Sequence, residues 1–248
     1  MNTVTDLQIF IEQQLRSINY PINAVNPESI KTNSLKGLYD PIEYSLNIGG
    51  KRIRPILLLM AYQIYDNEIE RAIAPALGIE IFHNFTLLHD DIMDNSRIRR
   101  MKKTVHEKWD VNTAILSGDT MLIQAYQQLL KVPSDNLESI MSLFNKTAIQ
   151  VCEGQFQDMY FEKNKEVGLD DYLQMIEYKT AVLLACSLKI GAILGGASKE
   201  DGEKLYDFGI KIGIAFQLQD DFLDVFGKEE NFGKQIGRDI LANKRTFL

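Results

Sequence analysis

The chain has 248 residues, 45% of them hydrophobic and 25% charged, a balance that is ordinary for a folded globular protein. Its formal net charge of −7 disfavours nucleic acid as a partner, because phosphate backbones are bound by basic surfaces. The longest apolar run, residues 56–62, is too short to span a bilayer, and no signal segment is evident at the N-terminus. Cys152 and Cys186 fit no metal-ligand spacing and are predicted to be buried thiols of a cytoplasmic protein.

Helical periodicity dominates the chain, and no run of residues is convincing as a strand. All six prolines lie at or before Pro133, so the remainder can form long unbroken helices. Ser134, Asp170 and Ser198 are helix start signals. The predicted helices span residues 5–19, 35–48, 55–66, 70–94, 111–131, 135–163, 171–195 and 200–226. No linker divides them, so the simplest prediction is one all-α domain over residues 1–248.

The first charged cluster is the segment GGKRIRP at residues 49–55. Because the residue before a proline disfavours helical geometry, Arg54 is expected to precede a helix that begins at Pro55. Lys51, Arg52 and Arg54 would then lie at the positive end of that helix, where free backbone N–H groups bind anions. The alternative is a basic turn exposed to solvent.

Two copies of the pattern DDxxD, at residues 90–94 and 220–224, each follow an apolar helical stretch. Residues four apart share a helix face, so Asp90 and Asp94 point the same way, and the second copy repeats this arrangement. Unpartnered carboxylates are costly to bury, and sites built from carboxylates suit Mg²⁺, which also binds substrate phosphates. One copy alone could be a solvated acidic face, but two copies favour a shared metal. The candidate ligands are Asp90, Asp91, Asp94, Asp220, Asp221 and Asp224.

Cations follow each acidic motif within a few residues. Carboxylates can hold a metal, the metal can hold phosphate, and arginine or lysine can bind the remaining phosphate oxygens. His83 lies two turns before Asp90 on the same face, although a lone histidine is more often a core or surface residue. Lys179, next to Thr180, is alternatively a surface lysine. The cations after the two motifs are Arg97, Arg99, Arg100, Lys102 and Lys103, then Lys228, Lys234, Arg238, Lys244 and Arg245.

With these residues assembled, the chain resembles the trans-isoprenyl diphosphate synthases, the polyprenyl synthetase family, from about residue 35 to the end. The segment 87–94 with Arg99 and Arg100 resembles the first aspartate-rich motif of the family, and the segment 216–224 resembles the second. The segment 49–55 resembles the GGKRxRP sequence of the family. After the arginine pair the chain lacks the usual Gly and Pro, so the local turn is expected to differ. Family members continue beyond the length of this chain, so the domain is expected to lack C-terminal helices.

The resemblance implies an all-α, antiparallel helical bundle around a deep central cavity, the isoprenoid synthase fold, usually as a homodimer. It implies head-to-tail condensation of isopentenyl diphosphate with an allylic diphosphate, using Mg²⁺, with the departing diphosphate as base. Asp90, Asp94 and Asp220 would ligate the metal, and Asp91, Asp221 and Asp224 would be direct or water-mediated partners. The allylic diphosphate would be held by Arg99, Lys179 and Lys234, and isopentenyl diphosphate by Lys51, Arg54, His83 and Arg100. Thr180 and Gln217 would line the reacting region, and Gln155 and Asp158 match a further family pattern without an assigned role.

Product length is predicted from the residues just before the first acidic motif. A growing product would extend from the metals along the helix that carries Asp90. Thr86, four residues earlier, is small, whereas Phe85, about 7.5 Å below Asp90, is bulky. Large residues at these positions shorten the product in the family, so a C15 or C20 product is predicted; alternatively, Phe85 is merely a core residue. The alternatives for the whole protein are a longer-chain polyprenyl diphosphate synthase, a class I terpene synthase and a non-catalytic regulatory subunit.

Overall fold

The computed structural model describes residues 3–17, 33–164, 166–227 and 246, and the prediction of an all-α fold is confirmed for them. The helices are α1 (Val4–Ser17), α2 (Asn33–Asn47), α3 (Ile53–Gln63), α4 (Glu70–Met93), α5 (Val105–Lys108), α6 (Val111–Leu129), α7 (Ser134–Phe161), α8 (Leu169–Ile176), α9 (Val182–Leu194) and α10 (Lys199–Phe226). A π-helical turn, Glu177–Ala181, joins α8 to α9. None of these helices is long and apolar enough to span a membrane.

Besides the short helix α5, two features of the described chain were not predicted. An antiparallel hairpin, β1 (Ile98–Arg99) and β2 (Lys102–Lys103), lies between α4 and α5. Strands of two residues are too short to show an alternating pattern. The predicted helix over 171–195 begins at Leu169 and is interrupted by the π turn, which leaves no mark on a 3.6-residue periodicity.

The chain packs into two compact units. The first comprises Met1–Leu59 and Ile69–Pro133, and the second comprises Met60–Glu68 and Ser134–Leu248. The first acidic motif belongs to the first unit and the second motif to the second unit. That the chain forms one catalytic domain stays a prediction. That the two acidic helices face each other also stays a prediction.

The first unit is built around α4, which packs against α6. Its middle stretch, from Pro75 to Phe82, is buried on every side, so this helix runs through a core rather than along a surface. Gly78 allows close packing, since a Cβ there would lie 3.0 Å from the carbonyl oxygen of Ala125 in α6. The last turns of α4, which carry the first acidic motif, therefore continue from a helix segment that is packed on every side.

The second unit is built around α9, of which ten residues are buried, and α10 packs along it. Ser198 caps α10 as predicted, because its hydroxyl oxygen accepts a hydrogen bond from the backbone N–H of Asp201 at 3.1 Å. Cys186 is buried in α9, and burial raises the pKa of its thiol to about 12. Cys152 is exposed on α7, so the prediction that both thiols are buried is wrong for this residue.

Candidate active site

Both acidic motifs lie in the last turns of their helices. The first ends α4, where Asp94 is the C-cap and Asn95 takes a left-handed conformation (φ 50°). The second lies just before the end of α10 at Phe226. A helix C-terminus carries partial negative charge, so three further carboxylates there are unfavourable unless a cation joins them. This donor set of hard oxygens fits a divalent cation such as Mg²⁺.

In the first motif the cation is Arg99. Its Nε donates to both carboxylate oxygens of Asp91, at 2.8 and 2.9 Å, and its Nη2 lies 3.2 Å from Oδ2 of Asp90. Burial lowers the pKa of Arg99, but the hydrogen bond to Asp91 and the charges of Asp91, Asp90 and Asp94 outweigh it and raise that pKa. The motif therefore accommodates positive charge at the position where the sequence predicts a metal.

Arg99 and Arg100 are presented by the hairpin. Its two-residue loop is Arg100–Met101, and both residues have positive φ values of 50° and 64°. Such a loop matches the twist of a hairpin but favours Asn-Gly, so these two residues are strained. Tyr44 holds the far strand, because its hydroxyl donates to the carbonyl oxygen of Lys103 at 2.7 Å. The turn after the arginine pair is therefore a tight hairpin, and its difference from the family stays a prediction.

A cationic cluster lies two turns before the acidic motif in the same unit. The guanidinium of Arg100 lies over Gly50, where a Cβ would be 2.5 Å from Nη1 of Arg100. Nη1 of Arg54 lies 3.1 Å from Nε2 of His83. Lys51 is exposed beside them. The structure thus brings together Arg54, His83 and Arg100, three of the four residues predicted to bind isopentenyl diphosphate.

The predicted start of α3 at Pro55 is wrong by two residues, since the helix begins at Ile53. Arg52 takes the left-handed conformation (φ 52°) and turns its side chain into the core. There Nη1 pairs with Oε1 of Glu80 at 2.5 Å, and Nη2 donates to the carbonyl oxygen of Leu46 at 2.5 Å. Asn84 donates to the same Glu80 oxygen at 2.9 Å. Arg52 therefore fixes the turn to α4 and is not exposed to solvent.

The contact between Arg54 and His83 determines the state of the histidine. A guanidinium has no hydrogen-bond acceptor, so Nε2 of His83 must accept from Arg54 and the ring must be neutral with its proton on Nδ1. Burial and the charges of Arg54, Arg100, Arg99 and Arg52 lower the pKa of His83 well below its usual value. Burial also lowers the pKa of Arg54 to about 10, which leaves the guanidinium charged at neutral pH. The cluster presents cations and a neutral N–H donor to an anion.

We expect His83 to make folding stability depend on pH. Its pKa is depressed in the folded state, so its contribution is present above the ordinary value near 6.5 and is lost as the pH falls below it. Between pH 7.5 and 5.5 the protein should lose about 1 kcal/mol more than His83→Gln, whose amide oxygen accepts from Arg54 without titrating. Urea unfolding of both proteins at the two pH values measures this difference. Parallel pH dependences would contradict a buried neutral His83.

The second unit places Lys179 and Thr180 on the π turn. Gly154 of α7 lies against the backbone of Lys179 on one side, and Gly213 of α10 lies against Ala181 on the other. A side chain at either glycine would overlap that backbone, so the two glycines allow the turn to lie between α7 and α10. A π turn re-aims the side chains that it carries, and such turns are frequent at functional sites.

The side chains of the π turn are both held by neighbours within the second unit. Nζ of Lys179 lies 2.5 Å from Oδ2 of Asp158. The sequence assigned no role to Asp158, and in the structure it pairs with this lysine. Thr180 donates from its hydroxyl to Oε1 of Gln217 at 3.0 Å, and Nε2 of Gln217 donates to Oδ1 of Asp221 at 2.8 Å. Burial raises the pKa of Asp221, and its hydrogen bonds work against that rise. Thr180, Gln217 and Asp221 are therefore joined by hydrogen bonds, and their roles at a reacting region stay predictions.

Some predicted residues have other placements. Lys234 lies outside the described residues. Phe85 is half-buried between the rings of Phe82 and His89, with centroids 5.6 and 4.8 Å away. The hydroxyl of Thr86 donates to the carbonyl oxygen of His83 at 2.8 Å. In the residues that the structure describes, no three acidic, histidine or cysteine side chains form a ready-made metal cage.

Sequence reasoning missed two residues that shape the site, Glu80 and Tyr172, and assigned Arg52 to an exposed anion site rather than to the core. Arg52 and Glu80 form a buried ion pair, which could have been suspected from a lone glutamate inside an apolar helix. Tyr172 of α8 donates its hydroxyl to Oδ2 of Asp221. No pattern in the sequence links Tyr172 to a residue 49 positions later.

Comparison with known proteins gives one consistent result. The family model Polyprenyl synthetase matches residues 35–248. The geranylgeranyl diphosphate synthase of Methanosarcina mazei is 40% identical over 237 residues, which are 95% of this chain and 73% of that protein. The geranylfarnesyl diphosphate synthase of Natronomonas pharaonis is 38% identical, over 92% of this chain and 72% of that protein. The crystal structure of geranylgeranyl pyrophosphate synthetase from Pyrococcus horikoshii superimposes with a TM-score of 0.84 at 34% identity, over 96% of this chain and 71% of that one.

Proposed function

Because the chain belongs to the polyprenyl synthetase family, we propose that it is a short-chain prenyl diphosphate synthase that condenses isopentenyl diphosphate with an allylic diphosphate. Prenyl diphosphate synthases generally use a divalent metal, and Mg²⁺ is the ion proposed here. Similarity to a geranylgeranyl diphosphate synthase supports a C20 product within the predicted range of C15 to C20. The alternative is a longer product, since a geranylfarnesyl diphosphate synthase is also similar.

One observation within the first unit carries the proposal. A single helix, α4, bears His83 in a cationic cluster and, seven residues later, Asp90 in a carboxylate cluster. Seven residues of helix span about 10 Å. One cluster suits an anion bound directly, and the other suits an anion bound through a metal. The condensation requires two diphosphates, and these two clusters would hold them about two helical turns apart.

Asp90, Asp94 and Asp220 are the proposed metal ligands, with Asp91, Asp221 and Asp224 as indirect partners. When bound, the metal would neutralise charge on the leaving diphosphate and act as a Lewis acid. Arg99 is positioned to move between its carboxylate partners and the allylic diphosphate, because it already spans Asp90 and Asp91. Lys179 and Lys234 would add further donors to that diphosphate.

The residues of the cationic cluster bind and orient isopentenyl diphosphate in this proposal. Arg54 and Arg100 supply charge, Lys51 supplies an exposed ammonium, and His83 donates from Nδ1. Thr180 and Gln217, fixed by their mutual hydrogen bond, would face the reacting carbons with dipoles rather than charges. In this arrangement catalysis depends on positioning and preorganised electrostatics, with no side chain as nucleophile.

The function is tested by incubating the full chain with isopentenyl diphosphate, Mg²⁺ and, in turn, dimethylallyl, geranyl and farnesyl diphosphate. Chromatography should show an all-trans C20 diphosphate as the main product. A chelator should abolish turnover and added Mg²⁺ should restore it. A terpene hydrocarbon as the product would favour the terpene synthase alternative, and no product with any starter would favour the regulatory subunit.

Phe85 is expected to limit product length. The ring is fixed by Phe82 and His89, so Phe85→Ala should open space along α4 below Asp90 rather than collapse it. We expect the product distribution to shift by one or more C5 units while Mg²⁺ dependence is kept. Phe208→Ala, which truncates an exposed phenylalanine on α10, is the matched control and should leave the products unchanged. An unchanged distribution for a folded Phe85→Ala would show that Phe85 is only a core residue.

A further inference from the structure

Asp221 is held through both of its carboxylate oxygens. The hydroxyl of Tyr172 donates to Oδ2, and Nε2 of Gln217 donates to Oδ1 at 2.8 Å. The amide of Gln217 is oriented by its two neighbours, because its nitrogen must face the carboxylate and its oxygen must face the hydroxyl of Thr180. A continuous chain of hydrogen bonds therefore runs from α8 through α10 to the π turn.

The tyrosine at the start of this chain is itself firmly placed. Tyr172 is 4% exposed and forms a buried cluster with Met175 and Ile176 of its own helix, against which Ile214 and Leu218 of α10 pack. Asp171 secures the start of α8, since its Oδ2 accepts from the backbone N–H of Gly168 at 3.0 Å. The packed ring places its hydroxyl against the carboxylate of Asp221.

The second aspartate of the first acidic motif is held in a similar way. This residue, Asp91, is 5% exposed and is held through both oxygens by Arg99, as Asp221 is 4% exposed and held by Tyr172 and Gln217. The second aspartate of a DDxxD helix lies about 100° round the axis from the first. Holding it with a neighbouring side chain therefore restrains the last turns of the helix, from which the other two carboxylates project.

We propose that Tyr172 is a positioning residue of the second acidic motif, holding Asp221 as an anchor so that Asp220 and Asp224 present their carboxylates in one orientation to a divalent cation. The proposal rests on the proposed function for the identity of that cation and its diphosphate partner. Tyr172 acts through Asp221 and does not touch substrate. The close approach of Gly213 to Ala181 allows α10 to lie against the π turn, and the Tyr172 hydroxyl holds the Asp221 carboxylate on α10.

The first test removes one hydroxyl. Tyr172→Phe keeps the packed ring and should fold, but its binding of Mn²⁺ with inorganic diphosphate, measured by electron paramagnetic resonance, should weaken by about tenfold or more. Tyr206→Phe is the matched control, because it removes a hydroxyl from α10 itself. A purely structural tyrosine would lower the urea midpoint and leave Mn²⁺ binding equal to that of the control, and this result would overturn the proposal.

The second test asks whether Tyr172 acts through Asp221. Tyr172→Phe, Asp221→Asn and the double variant form a cycle, measured by urea unfolding without metal and by Mn²⁺ binding with diphosphate. We expect the double variant to lose less than the sum of the single losses in both measurements. Additive losses would overturn the proposal. Neither measurement uses a prenyl substrate, so a chain that makes no prenyl diphosphate would overturn the proposed function and leave this test intact.

Discussion

Asp90→Asn and Asp220→Asn are each expected to lower turnover by a factor on the order of 10²–10³ in a folded protein. Each variant replaces a proposed metal ligand by an amide of the same shape, so the loss comes from charge and not from volume. The turnover number at saturating Mg²⁺ and saturating substrates is the measurement, with circular dichroism as evidence of folding. Asp207→Asn, an exposed change on α10, is the control and should keep near-normal turnover.

Asp90→Asn should change the stability of the metal-free protein little. Asp90 is 3.2 Å from Nη2 of Arg99, so its charge is partly balanced and its loss brings little relief from repulsion. In Asp90→Asn, Arg99 also keeps its two hydrogen bonds to Asp91, which are shorter than its contact with Asp90. If both variants keep near-normal turnover, the assignment of a metal to the two motifs is wrong.

Much of the helical framework was predictable from the sequence because its signals are local. The apolar periodicity placed α4 and α10 within a residue of their observed limits, and Ser198 marked the start of α10. The start of α3 was misplaced because a preference before proline is weak against tertiary packing. Arg52 is drawn into the core by Glu80, and this non-local pair sets where α3 begins.

The residue types of the candidate site were predictable from the sequence. The contacts that these residues make with one another were less predictable. The acidic motifs and the basic turn are each contiguous in sequence, so the spacing of their charged residues is enough to identify them. The π turn was not predictable, because it depends on Gly154 and Gly213 of two other helices lying against it. The contact between Tyr172 and Asp221 likewise joins two helices and depends on how they pack.

The buried pair of Arg52 and Glu80 should give the largest stability effect of a single substitution in the first unit. The two side chains are 2% and 3% exposed, and Nη1 of Arg52 lies 2.5 Å from Oε1 of Glu80. Glu80→Ala leaves the guanidinium buried without its counter-charge and removes one of the two acceptors of Asn84, whose amide keeps the carbonyl oxygen of residue 80. We expect a loss of about 3–5 kcal/mol in the free energy of unfolding.

The double variant Arg52→Met with Glu80→Leu should recover much of that loss, because an apolar pair of similar volume avoids the cost of burying charge. Glu200→Ala breaks an exposed pair with Lys204 on α10 and should change stability little. Urea unfolding of the four proteins compares these cases. Equal losses for Glu80→Ala and Glu200→Ala would show that the buried pair does not hold the basic turn against α4.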